Sequence, residues 1–214
     1  MIYQAGTGSR ELVYSMKFVL ATANPGKIKE LGKLLSELDI AYVTRNDLGI
    51  SIDIEETGAT FLENATLKAN AITAVSGLPA IADDSGLLID SLDGEPGLFS
   101  SSYGGVRLTD KQRCLYLLGK MENSEQRRAK FVCNIVCSFP DGKLITAYGE
   151  CNGVILTEPR GSDGFGYDPV FLPDGKEHTL AELGIDEKNE ISHRGVALRE
   201  FSKLLKAHKT EIHI

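Results

Sequence analysis

The apolar positions of this chain recur with two different periods. KFVLATA (17–23) is a nearly continuous apolar run of strand length, and beyond Asn24 the residues Ile28, Leu31, Leu34, Leu35 and Leu38 return at helical spacing. That change of period predicts a strand running into a helix capped by Asn24. A second short strand is expected around Ala41 to Thr44. Thr60 and Glu63 form a T-x-x-E capping box, which opens a helix to about Ser76. AIADD (80–84) leaves that helix as a strand, and further strands are expected at Leu87 to Asp90, Phe131 to Phe139 and Lys143 to Glu150. The last two, joined by Pro140-Asp141-Gly142, predict an antiparallel hairpin. Helices are expected near Thr109 to Met121 and from His193 to Ala207. The order of elements is that of a mixed α/β fold. No internal repeat, low-complexity tract or Pro/Ser linker divides the chain, so residues 16–214 read as one domain. Residues 1–15 read as an N-terminal extension, a start chosen too far upstream or an engineering scar.

Composition narrows the function. With 214 residues the chain is long enough for a substantial core without staples. Its 23 Lys plus Arg against 30 Asp plus Glu give a net charge of -7. Coating nucleic acid requires a basic face, so that class is excluded, whereas one nucleotide in a pocket needs few cations. The four cysteines form no C-x-x-C pair; Cys133 and Cys137 share one face of the strand FVCNIVCSF with Phe131, Ile135 and Phe139, and read as buried core thiols. There is no run of 18 apolar residues and no signal-peptide pattern at the N-terminus, so a soluble, cytoplasmic setting without membrane partners is expected.

Several segments carry candidate chemistry. TANPGK (22–27) turns a strand into a helix whose first N–H groups form an anion site, and Lys27 places a cation where the helix dipole disfavours one. It lacks the leading Gly and the Ser or Thr of a Walker A loop. The plainer reading is an N-cap with a solvated lysine. Lys68 shares a helix face with Phe61, Ala65, Ile72 and Val75, so it either snorkels to water or reaches a bound anion. ADDSG (82–86) places two carboxylates at the end of an apolar strand, where α/β folds put their chemistry and where Mg²⁺ is held by one or two acids plus phosphate. If the backbone is extended, Asp83 and Asp84 face opposite ways. A simple acidic turn is the alternative. Glu55 and Glu56 add carboxylates nearby. In GSDGFGYDPVF (161–171) glycines flank Phe165 and Tyr167, which allows close backbone approach and stacking on a base, against a plain glycine-rich hairpin. EKNEISHRG (187–195) gathers Lys188, His193 and Arg194 beside Ser192, a plausible helix cap; solvated first-turn residues are the alternative.

In this order TANPGK, EETGATFLENATLKA, ADDSG, GEPGLFSS, GFGYDP and EKNEISHRG closely resemble the inosine triphosphate pyrophosphatase family, from Met16 to about Leu205. The resemblance implies an elongated α/β fold with a mixed sheet, flanking helices and two lobes around a central cleft. It also implies a homodimer and Mg²⁺-dependent hydrolysis of ITP, dITP and XTP to the monophosphate and pyrophosphate. Carried over by position, Thr22, Ala23, Asn24, Pro25, Gly26 and Lys27 cradle the triphosphate, and Lys68 contacts phosphate. Asp84 is proton acceptor and metal ligand, supported by Asp83; Glu56 is the second acidic ligand and Ser85 touches substrate. Phe165, Gly166, Tyr167 and Asp168 form the base pocket with Lys188, His193 and Arg194. Donors from His193 and Arg194 suit a 6-oxo purine and would face adenine's 6-amino group unpaired. No residue is assigned to rejecting guanine by its 2-amino group. One departure stands out: after GEPG the family commonly has Ser-Ala-Arg, whereas Ser100, Ser101 and Ser102 follow here, with Arg107 as a candidate replacement. The rival expectations are a pyrophosphatase for modified pyrimidine nucleotides and a sensor that binds triphosphate without cleaving it.

Overall fold

The computed structural model describes residues 17–212, and the N-terminal segment 1–15 therefore lies outside the described residues. One six-stranded mixed sheet organises the fold, in the order β2-β1-β3-β4-β5-β6. Its strands are β1 (Phe18–Leu20), β2 (Tyr42–Thr44), β3 (Ala80–Ile89), β4 (Arg128–Ser138), β5 (Leu144–Ile155) and β6 (Phe171–Pro173). β1 runs parallel to both β2 and β3, and every other pairing is antiparallel. The helices are α1 (Pro25–Glu37), α2 (Phe61–Ser76), α3 (Asp110–Lys120), α4 (Ile185–Ile191) and α5 (His193–Ile212).

Strand periodicity divides the core. Phe18, Leu20, Ile81, Cys133, Ile135 and Cys137 pack with Leu31, Leu34 and Leu35 of α1 and Leu198 and Phe201 of α5. Val19, Ala80, Ala82 and Val136 point the other way, against Ala65, Ala69 and Ile72 of α2. Near the far end of the sheet, Leu87, Ile89, Phe131 and Phe171 pack against Cys114, Leu117 and Met121. All four cysteines are free and buried, and burial raises the Cys133 thiol to about 12, so it stays protonated. The hairpin closes at 139–143 with Phe139 N–H donating to Lys143 O at 2.9 Å.

Four expectations need correction. The strands expected at 80–84 and 87–90 are one strand, β3, so Asp83 and Asp84 lie mid-strand rather than at its end. They nevertheless sit at a sheet boundary, because β1 pairs β3 at Ala80 and Ile81 and then leaves toward α1, while β3 continues along β4. The capping box is half formed: Thr60 accepts from Glu63 N–H, but the Glu63 carboxylate reaches the N–H of Ala59, one residue before the cap. Val75 is 57% exposed, so the buried stripe of α2 is Ala65, Ala69 and Ile72, with Asn64 and Thr73 beside it. Arg107 is exposed and stands off the cleft described below, where Arg113 lies instead.

Candidate active site

A cleft of about 630 Å³ opens where β1 ends, lined by the 21–27 turn, the strap around 53–56, the middle of β3, the 165–168 loop and the start of α5. The turn is built as a helix entrance: Asn24 Oδ1 accepts from Lys27 N–H at 3.1 Å and Thr22 Oγ1 from Asn24 N–H at 3.2 Å. Gly26 is required by contact, since a Cβ there would lie 2.4 Å from the Phe165 ring. The 21–27 turn and the 165–168 loop thus touch at the cleft wall.

β3 alternation sends the two aspartates to opposite sides. Asp83 faces α1 and α5, where its Oδ2 meets Lys27 Nζ at 2.8 Å and Arg194 Nε at 3.3 Å, and Ser85 Oγ at 3.2 Å. Burial pushes its carboxyl up, but Lys27 and Arg194 overcome that and hold it well below the ordinary range. Its other oxygen, Oδ1, is buried without a partner. Asp84 faces α2, where Lys68 Nζ lies 2.7 Å from Oδ1 and Asn64 Nδ2 3.5 Å from Oδ2. Here burial dominates, and the Asp84 carboxyl is raised despite Lys68. Glu56 on the strap also reaches Lys68 Nζ, at 3.3 Å. Lys68 therefore neither snorkels nor waits as a free cation; it fills the space between two carboxylates.

At the other end, Lys188 of α4 lies 2.5 Å from both Glu30 and Asp168, and Arg194 of α5 is 2.5 Å from Glu30 and donates to Ser85 Oγ at 2.9 Å. Glu30 is pushed up by burial but held below its ordinary value by Arg194 and Lys188. Asp168, fully enclosed, is raised by burial in spite of Lys188. Lys188 Nζ and the Arg194 guanidinium lie 5.1 and 5.2 Å from the Phe165 ring centroid, within cation–π reach. His193 stacks on Phe131 at 4.7 Å, with its Nδ1 buried and unpartnered; burial, then Arg194 and Lys188, keep it neutral well below its usual range. Tyr167 is core-facing, with its hydroxyl donating to Ser100 O at 2.8 Å. Gly166 N–H donates to Asp110 at 2.7 Å.

Thr22 to Lys27, Lys68, Asp83, Asp84, Ser85, Glu56, Phe165 to Asp168, His193 and Arg194 all line the one cleft. Lys188 stands behind that wall and reaches it through Asp168 and Phe165. Glu55 is exposed and away from the cleft. Sequence reasoning missed Glu30, Arg45 and Arg113. Glu30 had a signal: three residues after Lys27 and four before Leu34, it lies on the inward face of α1, where a carboxylate needs a buried cation. No comparable signal marks the two arginines.

Two carboxylates already converge on one ammonium between Asp84 and Glu56, so this spot stabilises a cation. Among the described residues no three His, Cys, Asp or Glu side chains form a closed metal cage. Asp84 and Glu56 alone match only the donor set of a hard divalent ion that takes one or two carboxylates and completes its shell with phosphate and water.

The Ham1 family model matches residues 18–204. A Deinococcus deserti protein named dITP/XTP pyrophosphatase is 49% identical over 191 residues, covering 89% of this chain and 88% of its own. A Thermus thermophilus protein of the same name is 48% identical over 200 residues, covering 92% and 94%. Among solved structures, a HAM1 protein from Coxiella burnetii superposes with a TM-score of 0.81 at 42% identity, covering 90% of this chain and 99% of its own. The Ham1 protein of Staphylococcus aureus gives 0.80 at 38% identity, with the same coverage.

Proposed function

The chain belongs to the Ham1 family, and from that premise we propose that it hydrolyses dITP, XTP and ITP to the nucleoside monophosphate and pyrophosphate in this cleft. The observation that carries the reading is the convergence of unlike chemistry on one cavity: Lys68, Asp84 and Glu56 on the α2 side of β3, and Lys27, Phe165, His193 and Arg194 on its α1 and α5 side.

Breaking the anhydride bond between the α- and β-phosphoryl groups requires positioning and charge neutralisation. Thr22 to Gly26 bring a helix start to the cleft, with Lys27, paired to Asp83, in its first turn. An arriving triphosphate competes with Asp84 for Lys68, and the released carboxylate, raised by burial, is suited to take a proton from the attacking water. Asp83, ionised and pinned by Lys27 and Arg194, holds the opposite face of β3 and orients Ser85. Mg²⁺ held by Asp84 and Glu56 would supply Lewis-acid charge to the phosphoryl oxygens.

Phe165 provides the stacking surface for the base, and neutral His193 and Arg194 provide donors to a 6-oxo group. Gly166 and Tyr167 shape this end, and Lys188 acts on it by fixing Asp168. A homodimer and a cytoplasmic setting are carried over on the resemblance alone; among the described residues no helix is long and apolar enough to cross a membrane.

The deciding assay incubates the protein and Mg²⁺ with ITP, dITP, XTP, GTP, ATP and modified pyrimidine triphosphates, and separates pyrophosphate from orthophosphate. Pyrophosphate release with preference for ITP, dITP and XTP is expected. Orthophosphate as first product, a pyrimidine preference, or binding without turnover would each replace the reading.

A further inference from the structure

The charged groups of the cleft fall into two kinds. Lys27, Lys188 and Arg194 are interlocked with Asp83, Glu30 and Asp168, three cations with three carboxylates, and Lys68 faces both Asp84 and Glu56. These groups together are neutral to slightly negative, which is poor provision for a polyanion. Arg45 and Arg113 also line the cleft, and neither has a carboxylate within ion-pair distance among the described residues. Arg113, 5% exposed, spends its guanidinium on the carbonyls of Tyr103, Gly105 and Leu108 and so staples that loop.

Arg45 is placed differently. Its backbone N–H donates to Leu20 O at 3.0 Å, which sets it just past the parallel pair β1/β2, beside the turn that begins at Thr22. Ligands of open α/β sheets sit beyond such carboxyl ends. The side chain folds against the strap that leads to Glu56: Nε donates to Ile50 O at 3.1 Å and Nη2 to Ile52 O. A guanidinium has five N–H donors, so most remain uncommitted, and none of the Arg45 nitrogens is both buried and unpartnered. The two carbonyls fix the plane of the fork, which limits the entropy lost when it grips an anion.

We propose that Arg45 binds the terminal phosphates of the substrate, the part that leaves as pyrophosphate. This rests on the pyrophosphatase reading and adds to it the residue that supplies uncompensated positive charge at the phosphate end. With a divalent ion balancing Asp84 and Glu56, Lys68 and Arg45 are the two cations left to meet that tail.

Calorimetric titration of inorganic pyrophosphate and of IMP, separately and in Mg²⁺ buffer, tests it on wild type and Arg45→Gln. Pyrophosphate affinity should fall about tenfold in the variant, as expected for losing a charged hydrogen bond, with IMP affinity within about twofold. Arg45→Lys, which keeps the charge but not the fork, should lose about threefold for pyrophosphate and nothing for IMP, and it decides the matter if the Gln variant does not fold. Unchanged pyrophosphate affinity, or a parallel loss for IMP, overturns the assignment of Arg45 alone. A wild-type protein that binds neither product overturns the pyrophosphatase reading and this inference with it.

Discussion

Asp83 and Asp84 are neighbours in sequence, and the alternation of β3 gives them opposite environments. Asp83, between Lys27 and Arg194, is held ionised, whereas Asp84 is raised by burial and shares Lys68 with Glu56. Titratable pairs pushed apart in this way divide roles between a fixed charge and a proton carrier. Their opposite orientation was legible in the sequence from strand period two; which of them would be raised was not, because that depends on cations from α1, α2 and α5. Asp84→Asn removes the proton acceptor while keeping shape. We expect kcat to fall by roughly 10²–10⁴-fold, as for loss of a general base. Substrate binding without Mg²⁺ should be unchanged or tighter, since Lys68 is freed for phosphate, whereas more Mg²⁺ should be needed for turnover, since a carboxylate ligand is lost. Single-turnover kinetics with direct substrate binding checks both, and a near-normal kcat would remove Asp84 from its assigned role.

The elements with strong periodicity, α1, α2, the β4/β5 hairpin and the start of α5, stand where the apolar pattern puts them. The sequence of β3 reads as two strands because Asp83, Asp84 and Ser85 interrupt its apolar run, and side chains distant in sequence compensate those polar groups. α4 and β6, with 7 and 3 residues, are too short for periodicity to register. What places His193 and Arg194 on the cleft wall is the close packing of α5 on β5. At Gly149, a Cβ would lie 2.3 Å from His193 O and 2.4 Å from Ala197 N. Both obstacles are backbone, so no rotamer change relieves them. Gly149→Ala should therefore cost about 3 kcal/mol, the upper end of overpacking, and lower Tm by about 6–12 °C. Thermal unfolding measures this; a shift under about 2 °C would mean that α5 can move off the sheet freely.

Across the whole molecule, the buried ion network joins segments that no local pattern relates: Lys27 and Glu30 on α1, Asp83 on β3, Asp168 after the glycine loop, Lys188 on α4 and Arg194 on α5. In sequence Lys27, Asp168, Lys188 and Arg194 read as substrate contacts or solvated residues, and Glu30 escapes notice, because pairing is a property of the assembled fold. Glu30 is the junction, bonded to both Lys188 and Arg194 and 4% exposed. Replacing it with Gln leaves two buried cations short of a counter-charge, with Asp83 and Asp168 as their remaining acids. Breaking a buried pair costs about 3–5 kcal/mol. Its pH dependence follows from the direction of the shift. The Glu30 carboxyl is held below its ordinary value in the folded protein, so its contribution is complete above the unfolded glutamate value of about 4.3 and is lost as pH falls through the lower folded value. The stability difference between wild type and Glu30→Gln should thus be level from about pH 7 to 5.5 and shrink below about pH 4, as the wild-type carboxylate is protonated. Denaturant unfolding of both proteins across that range reads it directly. A difference that grows on acidification would mean that burial, rather than Lys188 and Arg194, governs Glu30, and that the network is held together by its other acids.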